Sequence, residues 1–191
     1  MREFTKHDIK QKLSVHTRTP LTHEGSRKAC VMVPLVNKEN HLHLLLTKRS
    51  ETVEHHKGQI SFPGGMVDDG DESETATAFR EVEEEIGIHR SAIEVLGLLD
   101  DIHIPTGFDV TPVVGYIEDL SKLKPNFEEV AEVLLIPLEK FFDPALCRLE
   151  TRILMGTPRQ VFIFDVWNEP VWGATAHIIH QLTELVLSTK K

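Results

Sequence analysis

The sequence predicts an α/β fold in which a mixed β-sheet is held between helices. Two observations carry that expectation. Strand-like runs outnumber helical ones, and the strongest 3.6-residue periodicity falls in one central and one C-terminal stretch. No internal repeat, low-complexity tract or long Gly/Ser linker interrupts the chain. Residues 4–14 space Phe4, Ile9 and Leu13 as a short helix would. "ACVMVPLV" (29–36) and "HLHLLLTKR" (41–49) read as strands joined by the polar turn "NKEN". Residues 58–72 are broken by Pro63, Gly64, Gly65 and Gly70, and read as loop around a short strand. A helix is expected from Asp71 or Ser73, where Asp71 and Glu74 have capping-box spacing, to a C-terminal cap at Gly87. Its inner stripe would be Thr75, Ala78, Phe79, Val82 and Ile86. "AIEVLGLLD", "VTPVVGYIE", "EVAEVLLIPL" and "FIFDVW" follow as strands, and "ATAHIIHQLTELVLS" (174–188) as the C-terminal helix.

The chain has 191 residues, enough for one domain spanning 1–191 with a well-filled core. A formal net charge of −9 disfavours wholesale attraction to nucleic acid or to an anionic membrane. An anionic small molecule remains compatible with it, provided a local cation receives that molecule. The two cysteines, Cys30 and Cys147, lack metal-ligand spacing, which fits a reducing cytoplasm. The N-terminal residues lack the apolar centre of a signal peptide, and no apolar run approaches the roughly 18–20 residues of a membrane span.

"FREVEEEIG" (79–87) raises the functional question. Glu81, Glu84 and Glu85 stand at i, i+3 and i+4, so a helix places them on one face, where like charges repel. Arg80 is one turn before Glu84 and can hold its carboxylate. Carboxylates are the ligands that hard cations such as Mg²⁺ and Mn²⁺ prefer, and a cation turns the repulsion into shared attraction. A run of glutamates is more commonly just a solvated helix face. Here the run is bracketed by Arg80, Gly87 and Ile88 and follows a loop rich in Gly and Asp, a pattern with many fixed positions.

Gly64, Gly65 and "REVEEEIGI" (80–88) resemble the Nudix box, and Arg80, Glu81, Val82, Glu84, Glu85, Gly87 and Ile88 match its second half. The first half departs: Gly65 is one residue too far from Arg80, and the early glutamate has only Asp71 and Glu72 as nearest counterparts. A lengthened loop of this kind, with Pro63, Gly64, Gly65, Asp68 and Asp71, resembles the coenzyme A pyrophosphatase branch. "LLTKRSETVEHHKGQISFPGG" (45–65) also resembles that branch, except that Glu54 stands where its signature has arginine.

The resemblance spans about residues 29–185 and implies a Nudix-type α/β/α sandwich with the box at about 64–88. It implies Mg²⁺- or Mn²⁺-dependent hydrolysis of a diphosphate linkage in coenzyme A or its derivatives, giving 3′,5′-ADP and 4′-phosphopantetheine. Glu81, Glu84, Glu85 and the Gly65 carbonyl would hold the metal, and Glu84, Glu85 and Arg80 would form the catalytic centre, with Arg80 orienting a glutamate. Glu129, with Glu128 and Glu132 beside it, is the candidate general base from a later loop. Arg49, His56, Lys57, Gln59 and Gly64 would meet substrate. The expected partner is a small nucleoside diphosphate, and a homodimer stays open because several Nudix branches dimerise. Glu54 keeps ADP-ribose, a nucleotide sugar or NADH as the alternative substrates. A non-catalytic nucleotide-binding module is disfavoured because Arg80, Glu81, Glu84 and Glu85 are all present, and a purely structural cation site is a further alternative. His177 and His180, Trp167 and Trp172, His41 and His43, and Cys147 read as structural.

Overall fold

Residues 4–51 and 58–188 are described by the structure, a computed structural model. In chain order the elements are α1 (Lys6–Val15), β1 (Arg27–Lys38), β2 (His41–Arg49), β3 (Ile60–Ser61), β4 (Gly64–Met66), α2 (Glu74–Ile86), β5 (Ile93–Leu98), β6 (Ile102–Ile104), β7 (Phe108–Ile117), β8 (Val130–Pro137), β9 (Cys147–Leu154), β10 (Thr157–Phe164), β11 (Val171–Trp172) and α3 (Gly173–Leu187). None of these helices is long and apolar enough to cross a membrane.

The first helix starts where its cap dictates. The Thr5 hydroxyl accepts the Asp8 backbone N–H, and the Asp8 carboxylate accepts that of Thr5. This box moves the helix from the expected 4–14 to Lys6–Val15 and leaves Ile9 and Leu13 buried on its inner side. Between β1 and β2 only Glu39 and Asn40 are unpaired, with φ of 54° and 67°. Two consecutive left-handed residues are what a tight antiparallel hairpin of right-handed twist needs.

β1 is the central strand, and its two edges do different work. One edge pairs in parallel with β7, from Arg27 against Phe108 to Val36 against Ile117. The other edge is shared, pairing antiparallel with β4 over Ala29–Val31 and with β2 over Leu35–Lys38. β8 and β3 extend the sheet beyond β2, and β5 and β6 extend it beyond β7, all antiparallel. One parallel pair among antiparallel ones makes the sheet mixed. Side chains alternate across it, so Cys30, Met32 and Val36 pack against Ala78, Val82 and Ile86 of α2. Val33 and Leu35 face the opposite layer, with Ile9 and Leu13 of α1 and Ile179 and Leu182 of α3. The result is helix, sheet, helix, the α/β/α arrangement.

A second, three-stranded sheet of β9, β10 and β11 departs from the sequence reading. β9 was not anticipated, because none of its residues is buried and Leu149 and Ile153 point outward among charges. The stretch read as one strand over 162–167 ends at Phe164, after which Val166 turns into the core.

Burying a whole aliphatic side chain stabilises by about 1.5–3 kcal/mol, and removing one also leaves a cavity. Ile86 is wholly buried under the sheet, whereas Leu149 is 56% exposed. Ile86→Ala should therefore cost about 2–5 kcal/mol in urea unfolding, while Leu149→Ala stays within about 0.5 kcal/mol of the parent.

Candidate active site

The site is built on α2 and the loops at its two ends. Ser73 caps the helix, its Oγ accepting the Ala76 N–H at 3.2 Å. Asp71, expected to form a capping box with Glu74, does something else: its Oδ2 accepts the Thr77 hydroxyl at 2.9 Å and faces Arg80. At the other end Gly87 adopts φ 71°, the left-handed cap that was anticipated. A side chain there would also meet the Lys124 carbonyl oxygen at 2.9 Å. The last carbonyls of the helix accept from the loop before β8, Ile86 O from the Lys124 N–H and Glu85 O from the Asn126 N–H, at 2.9 and 2.8 Å. The inner stripe needs correction. Thr77 and Glu85 are buried with Ala78, Val82 and Ile86, whereas Thr75 and Phe79 are half-buried.

Arg80 gathers the loop and the helix. Its Nη1 donates to Glu81 at 2.7 Å and to Glu84 at 3.2 Å. Its Nη2 donates to the Met66 carbonyl at 2.9 Å and to Asp71 at 3.1 Å, and Nε reaches the other Asp71 oxygen at 3.3 Å. The Arg80 hydrogen bond holds the Asp71 carboxyl down at about 2 against burial, helped by the Asp68 N–H and Thr77.

The three glutamates do not share one environment. Glu84 is the exposed one, with a side chain 55% accessible. Glu81 is half-buried, and burial raises its pKa although Arg80 opposes this. Glu85 is 2% exposed. Burial pushes its pKa up to about 8, against the opposing pull of the Gly64 N–H and Arg49, and nearby Glu81 and Glu129 add to the rise. Its Oε1 accepts the Gly64 N–H at 3.4 Å and lies 3.9 Å from the Arg49 guanidinium.

The two glycines are required for separate reasons. A β-carbon on Gly64 would sit 2.4 Å from the Cys30 carbonyl oxygen and 2.7 Å from Val31 Cα, both backbone atoms of β1. The nearest atoms to one on Gly65 are those of the Glu81 carboxylate, the first at 2.3 Å. Gly65 is thus the floor on which Glu81 rests.

Arg49, Gly64, Gly65, Arg80, Glu81, Glu84, Glu85 and Glu129 converge at this end of the sheet. Glu129 arrives through the backbone: its carbonyl accepts the Ser50 N–H at 2.8 Å, next to Arg49, and its carboxylate accepts Asn126 Nδ2 at 3.2 Å. Gln59 contributes its carbonyl to the Arg49 N–H at 3.0 Å. Glu128 and Glu132 are exposed. His56 and Lys57, with Glu54, lie outside the described residues. Among the described residues, the Arg49 Nε is buried without a hydrogen-bond partner.

Sequence reasoning missed the Asp71–Arg80 clamp, although Asp71 was one of the two residues nearest the absent glutamate. It also missed Asn126 and a second polar cluster in which Arg18 joins Asp101 at 2.9 Å, Glu74 at 3.2 Å and Thr111 at 2.9 Å. Nothing local in the sequence marks that cluster. Of the residues read as structural, Trp172 receives the Arg152 guanidinium 4.6 Å from its ring centroid, and His180 stacks on Phe162 at 3.9 Å.

A sequence profile of the NUDIX domain matches residues 26–152. The chain is 37% identical over 163 residues to a protein of Photorhabdus laumondii named uncharacterized Nudix hydrolase NudL, covering 85% of this chain and 87% of that one. It is 40% identical over 158 residues to the protein of the same name from Escherichia coli K12, covering 82% and 81%. In fold it is similar to a MutT/nudix family protein from Enterococcus faecalis, with TM-score 0.51, 16% identity and coverage of 98% and 81%. It is also similar to the Nudix hydrolase RenU of M. smegmatis, with TM-score 0.50, 19% identity and coverage of 62% and 74%.

Two measurements test the geometry. Gly64→Ala should destabilise the fold by about 1–3 kcal/mol because the clash is with backbone, whereas Gly65→Ala displaces only a side-chain end and should leave urea unfolding nearly unchanged. Asp71 titrates at about 2 instead of its ordinary 3.8, so its contribution to stability is full above its unfolded value and is lost as pH falls towards 2. Acid unfolding followed by circular dichroism should therefore be shallower between about pH 4 and 2 in Asp71→Asn than in the parent.

Proposed function

This chain belongs to the NUDIX domain family and is a Nudix diphosphatase, and from that premise we propose that it cleaves the diphosphate linkage of coenzyme A or a coenzyme A derivative with Mg²⁺ or Mn²⁺. The observation that carries the hydrolytic reading is Glu85, a carboxyl held almost dry beneath the Gly64 N–H with Glu81 beside it. Coenzyme A as substrate rests on the signature over 45–65 and on the lengthened loop, whose Asp71 clamps Arg80. The whole chain, 1–191, acts in this reading as one hydrolase domain.

Glu81, Glu84 and Glu85 form an all-oxygen donor set, which fits a hard divalent ion, and they would hold it together with the Gly65 carbonyl. When bound, the ion neutralises phosphate oxygens and acidifies water. The chain's own residues do the rest. Arg80 fixes Glu81 and Glu84 at their distances and is too fully engaged with acceptors to bind substrate. Arg49 offers its Nε–H to a phosphate oxygen. Gly64 and Gly65 let the diphosphate approach the backbone. Glu129 accepts the proton of the attacking water, and water attack on one phosphorus separates 3′,5′-ADP from 4′-phosphopantetheine. His56, Lys57 and Gln59 complete the phosphate contacts in this proposal.

A second reading has its own support in Glu54, an acid that would repel the 3′-phosphate of coenzyme A. ADP-ribose, a nucleotide sugar or NADH lacks that group and would be the substrate instead.

Hydrolysis of coenzyme A, acetyl-coenzyme A, ADP-ribose, NADH and a nucleotide sugar with Mg²⁺ or Mn²⁺, products identified by mass, separates the readings. Coenzyme A should yield 3′,5′-ADP, with turnover lost in Glu84→Gln and Glu85→Gln. Arg80→Ala, which removes the clamp on Glu81, Glu84 and the Asp71 loop, and Gly65→Ala, which crowds Glu81 and the diphosphate approach, should each lower activity roughly 10- to 100-fold. Preference for ADP-ribose or a nucleotide sugar would replace the coenzyme A reading. Absence of metal-dependent turnover on every compound would leave a binding module or a structural cation site.

A further inference from the structure

Asp109 collects two histidines, one from the neighbouring strand and one from a distant part of the chain. It stands opposite His103 in the β6–β7 pairing, and His23 comes from the turn that precedes β1, 86 positions away. Its Oδ1 lies 2.7 Å from His23 Nδ1 and 2.8 Å from His103 Nδ1, and its Oδ2 accepts the His23 backbone N–H at 2.7 Å. The two imidazoles lean over one another, centroids 4.3 Å apart and planes inclined by 45°. The side chain of Asp109 is 4% accessible, those of His23 and His103 are 48% and 33%. The carboxylate is thus buried while both imidazoles are partly open to solvent.

Two imidazole nitrogens aimed at one carboxylate oxygen hold their ring protons in the same small volume. One cation can replace both protons and bond all three atoms. A ligand atom from each residue lies within 4.8 Å of the other two, and these three are the only such group of three or more among the described residues. An ion with bonds of about 2.0–2.2 Å draws its ligands into that range. Two nitrogens and an oxygen also differ in kind from the oxygen-only set on α2. Imidazole suits borderline ions such as Zn²⁺, whereas Mg²⁺ is left to carboxylates.

We propose that His23, His103 and Asp109 form a second metal site, for Zn²⁺ or a similar divalent transition ion, with a coordination position left open to solvent. The site lies at the polar end of one face of β7. On that face Asp109 and Thr111 give way to the buried Val113 and Ile117. An ion there staples the segment before β1 to the β6–β7 hairpin, and it needs neither the glutamates nor turnover.

The test uses the exposed imidazoles, since Asp109 is buried and its replacement would disturb folding. The full chain is titrated with Zn²⁺ in a large excess of Mg²⁺, with bound zinc counted after dialysis and thermal unfolding followed in parallel. The parent should retain one more equivalent of Zn²⁺ than the His23→Gln/His103→Gln double variant, and only the parent should melt higher with Zn²⁺. His103→Gln alone should weaken that equivalent by at least about 10-fold, which keeps the test sound should the double variant fold poorly. Glu85→Gln should keep the extra equivalent. Equal zinc uptake and equal melting shifts in the parent and the histidine variants would overturn the site. So would loss of the equivalent in Glu85→Gln with its retention in the double variant, because the zinc would then belong to the glutamates.

Discussion

The Arg80 guanidinium presents five N–H donors in a rigid planar fork, and acceptors from three chain segments surround it: Met66 after the glycine pair, Asp71 before the helix, and Glu81 and Glu84 on the helix. Loop and helix therefore share one cation, and neither can shift without uncovering the charge of the other. The arrangement also divides the carboxylates by environment. Water screens Glu84, Arg80 partly compensates Glu81, and Glu85 is beyond the reach of the fork and is left to burial. The cost of burial thus falls on Glu85, the driest member, beneath the Gly64 N–H.

Much of this was legible in the sequence because it is local. The helix from Ser73 to Gly87 and the paired strands joined within the NKEN turn follow from spacings of a few residues, while the closeness of Gly64 and Gly65 to the glutamates followed from the resemblance to the Nudix box. Periodicity misjudged the inner stripe because Thr77 is drawn inward by Asp71 and Glu85 by Gly64, polar contacts that hydrophobicity does not register. β9 escaped notice because it buries nothing. Asp109 with His23 and His103, and Arg18 with Asp101 and Glu74, were invisible for a different reason. His103 meets Asp109 across the antiparallel β6–β7 pair, but His23 and Arg18 come from the segment before β1, 86 and 83 positions from Asp109 and Asp101, and are brought there only by the folded chain.

The N-terminal segment is consequently more than a cover for the sheet. Arg18 ties it to Glu74 in the first turn of α2 and to Asp101 and Thr111 beneath, while Lys6 and Lys10 reach Glu94 of β5. Glu74 is also suited to its place by sign, an acid at the positive end of the helix dipole. The beginning of the glutamate helix is in this way fixed to a segment more than fifty residues earlier in the chain, by a pair that is |i−j| = 56 apart.

The parallel registry of β1 and β7 has a kinetic side. An antiparallel hairpin closes a short loop, whereas aligning Arg27 with Phe108 requires the whole intervening chain, α2 included, to be gathered first. Hairpins such as β1–β2 and β9–β10 need no such closure. Val113 and Ile117 of β7 pack in one cluster with Val82 and Ile86 of α2, so the inner face of the glutamate helix is fully covered only once that long loop has closed.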